Sequence, residues 1–244
     1  MIRRTRTARD RVCSRPVADL PIPLPAPLAS RLAAVLDIEA KVPRALEALG
    51  PLAGRSVALL DVPEGLHSAR LAAIGVTPRH VALRDPFAID APDASLDALV
   101  SLWSGFRGPT LTALHAQIAE ADRVLRPGGR LLVVHDYGRD DVSALRSPEL
   151  PEYTTWSHRG GPFLRDDLFR VRVLHCFWTF PSIEDAQAFL GEAFGEQGTA
   201  VGAVLKRPRL TWNVAVYHRW QRGTAPEGAE APNDKAAGGV TGPR

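Results

Sequence analysis

Val124-Leu125-Arg126-Pro127-Gly128-Gly129-Arg130-Leu131-Leu132-Val133-Val134 is the stretch whose reading decides the fold. Upstream of it, Leu111, Leu114, Ile118, Ala121, Val124 and Leu125 recur at helical spacing, with Gln117, Glu120 and Arg123 between them. That pattern predicts an amphipathic helix over 111–125. Pro127 stops it, because proline has no N–H to give and its ring clashes with the preceding turn. The two glycines permit the positive φ of a tight exit. Residues 131–134 are uniformly apolar and predict a strand buried on both faces. A helix that feeds a buried strand through so short a turn is half of a βαβ unit, so the sheet is expected to be parallel.

Outward from this junction the chain alternates. Strands are predicted over 56–61, 80–85, 96–103 and 131–136, with a short helix over 68–74 closed by Gly75. Strands alternating with helices make an open α/β sheet. Upstream, helices are expected over 29–36 and, started by Pro43, over 43–49, with Gly50-Pro51 as the stop. Downstream the pattern changes: a long β-rich run covers 170–180, Ser182 opens a helix with Glu184 and Asp185 in its first turn, and 210–220 is a last strand. Two late strands around a helix finish the sheet with an antiparallel edge.

The 244 residues suit one domain with appendages: a basic arm and Pro-rich connector over 1–28, a folded domain over 29–222, and a tail over 223–244. Arm and tail are expected to be disordered; the tail is Gly, Ala and Pro with scattered charge and almost no large apolar side chain. Six arginines against Asp10 in the first sixteen residues account for the whole positive charge of +3, and the remainder is slightly acidic. The folded body is therefore not a nucleic-acid platform, although the arm suits weak contact with anionic polymers. No apolar run has the length of a membrane helix, and the cytoplasm is the expected compartment. Cys13 and Cys176 are the only cysteines, which argues against a disulfide framework or a cysteine-based metal site.

The Arg-Pro-Gly-Gly-Arg turn before an apolar strand resembles the junction preceding the fifth strand of class I S-adenosylmethionine-dependent methyltransferases. The segment Val81-Ala82-Leu83-Arg84-Asp85, followed by Pro92-Asp93-Ala94-Ser95-Leu96-Asp97, is similar to the same family's strand, acid and Pro-Asp-x-Ser-Phe-Asp turn, with Leu96 in place of Phe. The resemblance implies a Rossmann-like methyltransferase sheet, mostly parallel with an antiparallel last strand. It implies S-adenosylmethionine as the cofactor and methyl transfer to an unidentified acceptor, small molecule or other. Asp61 and Gly65 stand where the family binds the methionine part, Asp85 where it faces adenine, and Trp103 where a ring would stack on adenine or cover the sulfonium. His135 and Tyr137 stand where a general base would. Each has a plainer reading: Asp61 as a β-to-α turn residue, Trp103 as core, His135 as a strand cap, Asp97 as a turn residue.

The chain also departs from the family. Pro63 and Val62 occupy positions where that loop normally carries glycine. Only 36 residues separate Asp61 from Asp97, too few for another βα unit of roughly 30 residues beside the helix and strand already there. The sheet is thus expected to be one βα unit shorter than usual, without the acid that normally holds the ribose hydroxyls. Such charged hydrogen bonds are worth ~1.5–3 kcal/mol each, so a catalytically inactive binding or assembly protein of this fold stands as the alternative. A third reading, a nicotinamide-binding oxidoreductase, is weak, because that chemistry needs Gly-x-Gly-x-x-Gly and an acid at the end of the second strand, and neither is here. The aromatic and basic residues over 156–180 suit a flat or anionic acceptor or, more plainly, core, and Gly160-Gly161-Pro162 reads as a loop able to lid a pocket.

Overall fold

The computed structural model describes residues 20–60, 65–84, 87–106, 110–145, 156, 158–165 and 168–221. Its elements run α1 (Ala26–Val35), α2 (Lys41–Leu49), β1 (Val57–Leu60), α3 (Leu66–Ala73), β2 (Arg79–Val81), β3 (Leu83–Arg84), β4 (Ala88–Ile89), β5 (Leu96–Leu102), α4 (Leu111–Val124), β6 (Leu125–Asp136), α5 (Asp141–Leu145), β7 (Arg170–Thr179), α6 (Ile183–Ala203) and β8 (Arg209–Trp220). Six strands form one sheet in the order β2-β1-β5-β6-β8-β7. β2, β1, β5 and β6 pair in parallel, whereas β8 is antiparallel to both its neighbours. The mostly parallel sheet with an antiparallel last strand is therefore present, and it is short. Among the described residues only β2 lies beyond β1; the chain then turns through the β3–β4 hairpin rather than through another strand-helix pair.

The strands carry apolar side chains on both faces, and the core is accordingly double. One face holds Leu59, Val100, Leu132, Val134, Trp178 and Trp212 under α1, α2, α3, α5 and α6. The other holds Leu60, Leu99, Leu131, Val133 and Tyr217 with Leu114, Ile118 and Ala121 of α4. Trp156, Phe163, Leu168 and Phe169 are buried in that second core, and Phe163 stacks on Tyr217 with ring centroids 4.1 Å apart. The segment around Gly160-Gly161-Pro162 is thus packed on the sheet by Phe163, not held over a pocket.

Boundaries differ from the sequence reading for identifiable reasons. α1 starts at Ala26, and Leu20 and Ile22 of the connector are already buried in the first core. α2 starts at Lys41 because the Asp37 carboxylate accepts from the Lys41 and Val42 N–H groups at 3.0 and 2.9 Å, capping the helix two residues before Pro43. The same link covers part of the β7 edge: Leu36 bridges Trp178, and Asp37 N–H donates to the Phe177 carbonyl. α6 is two helical arms, not one rod. Gly195, at φ 58°, reverses the chain, and Gly198 packs so close to the Leu190 carbonyl that no side chain fits. The terminal arm and tail expected to be disordered lie outside the described residues.

Helix α4 ends at Val124, one residue before the expected end, because β6 starts at once at Leu125, and the Pro-Gly-Gly turn becomes an irregularity within the strand. Leu96 pairs with Leu125 and the next pair is Ala98 with Arg130, so Arg126 to Gly129 loop out of the ladder. Asp97 fastens this bulge. Its carboxylate accepts from Ser56 N–H and from the Arg126 guanidinium, each at 2.8 Å. Burial acts to raise its pKa, yet these bonds outweigh it and hold the group below the ordinary carboxylate value. Gly128 has φ 76°, and a Cβ on Gly129 would lie 2.9 Å from the Arg126 carbonyl oxygen and 3.2 Å from that of Asp97. Gly129→Ala should therefore cost about 1–3 kcal/mol and Gly128→Ala about 1 kcal/mol. Urea unfolding with an unchanged slope checks this; equal stability of G129A and the parent would contradict the close approach.

Candidate functional site

In an open α/β sheet the ligand crevice lies past the carboxyl ends of the strands, where strand order reverses. Here the reversal falls between β1 and β5, because the chain leaves β1 toward β2 on one side and returns to β5 on the other. Past β1, Gly65 caps α3 in an extended conformation, and His67 in the first turn is fully buried. Past β5, Trp103, Gly105 and Phe106 all have φ between 52° and 64°. Left-handed backbone is rare for aromatic residues, and such strain concentrates at functional sites. The Ser101 hydroxyl donates to the Ser104 carbonyl and closes this turn on itself.

Asp136, the last residue of β6, organises the crevice. Its Oδ1 accepts from the Trp103 indole N–H at 3.2 Å and from the Trp212 indole N–H at 2.9 Å. The carboxylate is 3% exposed. Trp103 also stacks on His67 and on Trp212, with centroids 5.4 and 5.6 Å apart. A row of three rings thus runs across the strand ends, from α3 over β5 to β8, with one carboxylate at its edge. Burial, reinforced by the Arg70 charge, pushes the His67 imidazole down to about 3, so it is neutral at physiological pH.

A second row occupies the other face of the same strand ends. Tyr137 N–H donates to the Asn213 carbonyl at 2.8 Å. Asn213 N–H donates to Asp140 Oδ2 at 2.7 Å, and Asn213 Oδ1 lies 2.8 Å from His175 Nδ1. Burial raises the Asp140 pKa; the bonds from Asn213 and Ser143 lower it without cancelling the burial, and the neighbouring Asp136 charge adds to the rise.

The structure brings Gly65 and Trp103 to the switch point, with Tyr137 half-buried at the tip of β6. His135 is 3% exposed with its ring 6.1 Å from Phe163, on the sheet face away from Asp136 and Trp103. The alternation of the strand separates these neighbours: in β6, residue 135 must face the second core if residue 136 faces the first. Asp61 and Asp85 lie outside the described residues. Sequence reasoning missed His67 and Trp212 as site residues. A histidine in a helix and a tryptophan in a predicted strand carry no local signal until the strand order sets them beside Trp103.

Strand order, switch point and antiparallel last strand coincide. The fold is a Rossmann-like, mostly parallel sheet with an antiparallel last strand. No protein-family profile and no curated protein sequence matches the chain. Among solved structures it is similar to a SAM-dependent methyltransferase from Aquifex aeolicus, at 15% identity and TM-score 0.40, covering 78% of this chain and 92% of that one. It is also similar to a geranyl diphosphate C-methyltransferase from Streptomyces coelicolor, at 12% identity and TM-score 0.37, covering 74% and 76% respectively. Among the described residues, no group of His, Cys, Asp and Glu is arranged to hold a metal ion, and no helix is long and apolar enough to cross a membrane.

The state of His67 has a consequence for stability. The unfolded imidazole takes up a proton near its ordinary value of 6.5, whereas the folded one resists protonation down to about 3. Stability contributed by neutral His67 is complete above the unfolded value and is lost progressively as pH falls below it. Urea midpoints at about pH 7 and pH 5 should therefore differ more for the parent chain than for His67→Phe. Equal pH slopes would mean that the folded imidazole is hydrated and titrates normally.

Proposed function

We propose that this chain transfers a methyl group from S-adenosylmethionine to an acceptor. The observation that carries the reading is the constellation at the switch point: the Asp136 carboxylate, buried beside Trp103 at the strained tip of β5. The cofactor, when bound, supplies an electrophilic methyl group on a sulfonium cation. The described residues suit a cation. Asp136 provides negative charge in a poorly solvated place, the indoles present electron-rich rings, and the neutral His67 adds no competing positive charge. Asp61 and Gly65 are the residues assigned to the methionine end. Asp85, four residues beyond the strand that flanks β1, is assigned to the adenosine end. Transfer to an in-line nucleophile needs chiefly positioning. Where a proton must leave the acceptor, Tyr137 is the better-placed of the two bases, since its ring is partly exposed and that of His135 is enclosed.

One observation favours a second reading, a binding or assembly protein that keeps the fold without the chemistry. The faces of Trp103 are engaged by His67 and Trp212, so the ring stack itself occupies ground at the switch point. Titration of the full chain with S-adenosylmethionine and S-adenosylhomocysteine, followed by thermal unfolding, separates the two. A bound cofactor at a hundred times its dissociation constant adds ~2.7 kcal/mol of stability. Methyl transfer requires this shift, and Asp61→Ala and Asp85→Ala should each diminish it. An unchanged melting temperature at millimolar ligand would overturn the enzyme and leave the binding protein standing.

A further inference from the structure

Strand β7 is the open margin of the sheet, and its backbone groups divide by alternation. Phe177 and His175 turn their carbonyls away from β8: the first accepts from Asp37 N–H at 3.0 Å, the second from Lys41 Nζ at 2.8 Å. Successive residues of a strand point their N–H and C=O groups to opposite sides. Val171 and Val173 therefore direct theirs outward as well, whereas those of Arg172 and Leu174 face β8. The Leu36–Asp37 link shows what this margin accepts. It lies antiparallel beside Trp178 and Phe177 as a rudimentary extra strand, then leaves for α2 through Ala40, at φ 52°. Among the described residues, no backbone partner continues it past Val173 and Val171. A row of unpaired backbone groups is a template for another extended chain.

The charge along this margin says which chain. A groove of about 570 Å³ runs between α2 and β7. On its α2 side Arg44 is braced by the Ala40 and Glu39 carbonyls, so neutral acceptors fix its charge without cancelling it. On the β7 side the exposed Arg172 has no ion pair among the described residues. Glu39, the carboxylate of the groove, is taken up by Lys41 at 2.7 Å. The uncompensated charge is positive. Arg172 shares the α2 face of β7 with Leu174, and half-buried Val171 and Val173 lie on the other face. A second copy bonded through both free residues would pair Val171 with Val173 and set Arg172 opposite Arg172, which is repulsive. An acid opposite Arg172 is attractive, and β-branched residues opposite the valines complete the other face.

We propose that the free part of β7 takes up an extended acidic peptide of another protein as an added strand, with acids facing Arg172 and Arg44 and β-branched side chains facing Val171 and Val173. The surface is independent of the cofactor reading, because no residue assigned to the cofactor or to a base lies on it. The probe is the peptide Glu-Val-Glu-Val-Glu-Val, added to the nitrogen-15-labelled full-length chain while amide hydrogen exchange is followed by NMR. In the free chain Val171 and Val173 should exchange faster than Arg172 and Leu174. Millimolar peptide should slow exchange at both valines about tenfold and leave Arg172 unchanged. The same peptide N-methylated at its valines, which removes the donors aimed at β7, should not bind. The Arg44→Glu, Arg172→Glu double variant should bind the acidic peptide about tenfold more weakly or worse and should prefer Lys-Val-Lys-Val-Lys-Val. Both side chains are exposed, so its melting temperature should stay close to that of the parent. Valine amides already protected in the free chain, exchange unmoved by millimolar peptide, equal binding of the lysine peptide by the parent, or undiminished binding of the N-methylated peptide would each overturn the proposal. Protection that grows with protein concentration in the absence of peptide would make a second copy the occupant and overturn it as well.

Discussion

The carboxylate of Asp136 is the point through which the functional end of this sheet is held together. It reaches indoles from β8 and from the residue just past β5, so one buried anion ties three neighbouring strands at their ends. Hydrogen bonds to a charged acceptor are worth more than neutral ones, and removing the acceptor would strand two indole N–H groups. The strained backbone at Trp103 persists because this bond and two stacked rings determine where the indole must sit. His67 and Trp212 take their positions from the same ring, and the crevice takes its shape from all three.

The shortened sheet depends on how its margins are finished. Beyond β1 the chain closes with the three-residue β2 and a small hairpin, leaving little edge to pair. At the far side β7 is ten residues long, and an unguarded edge of that length invites association. Two devices limit it: the Leu36–Asp37 link pairs with its end, and arginines stand along its start. The double-armed α6 completes the cover, placing Phe189 and Phe194 against Trp178 and so extending the first core over the last two strands.

Much of this was legible in the sequence because it rests on local rules. Helix α4, capped by the Thr110 hydroxyl, and the Ser182 cap of α6 follow from side chains within one turn of the backbone groups they serve. The short interval between Asp61 and Asp97 limited the number of strands by chain length alone. What escaped depended on partners distant in sequence. The strand start at Leu125 is set by Asp97 reaching Arg126, and the α2 start is set by Asp37, which reads as an ordinary loop acid. His135 and Asp136 are adjacent, equally polar and equally buried, so only the face assignment of β6 tells which one meets the crevice.

The two rows of polar residues at the strand ends differ in electrostatic character. On one face a buried carboxylate and electron-rich rings, with a histidine held neutral, favour a cation. On the other, Tyr137 and Asn213 are taken up by hydrogen bonds to the turn that follows β6. The strands themselves separate them, since alternation sends neighbouring residues of β6 and β8 to opposite sides. Screening by salt falls least on a charge as buried as that of Asp136. A cation at the centre of this sheet end would therefore meet a field that ionic strength barely weakens.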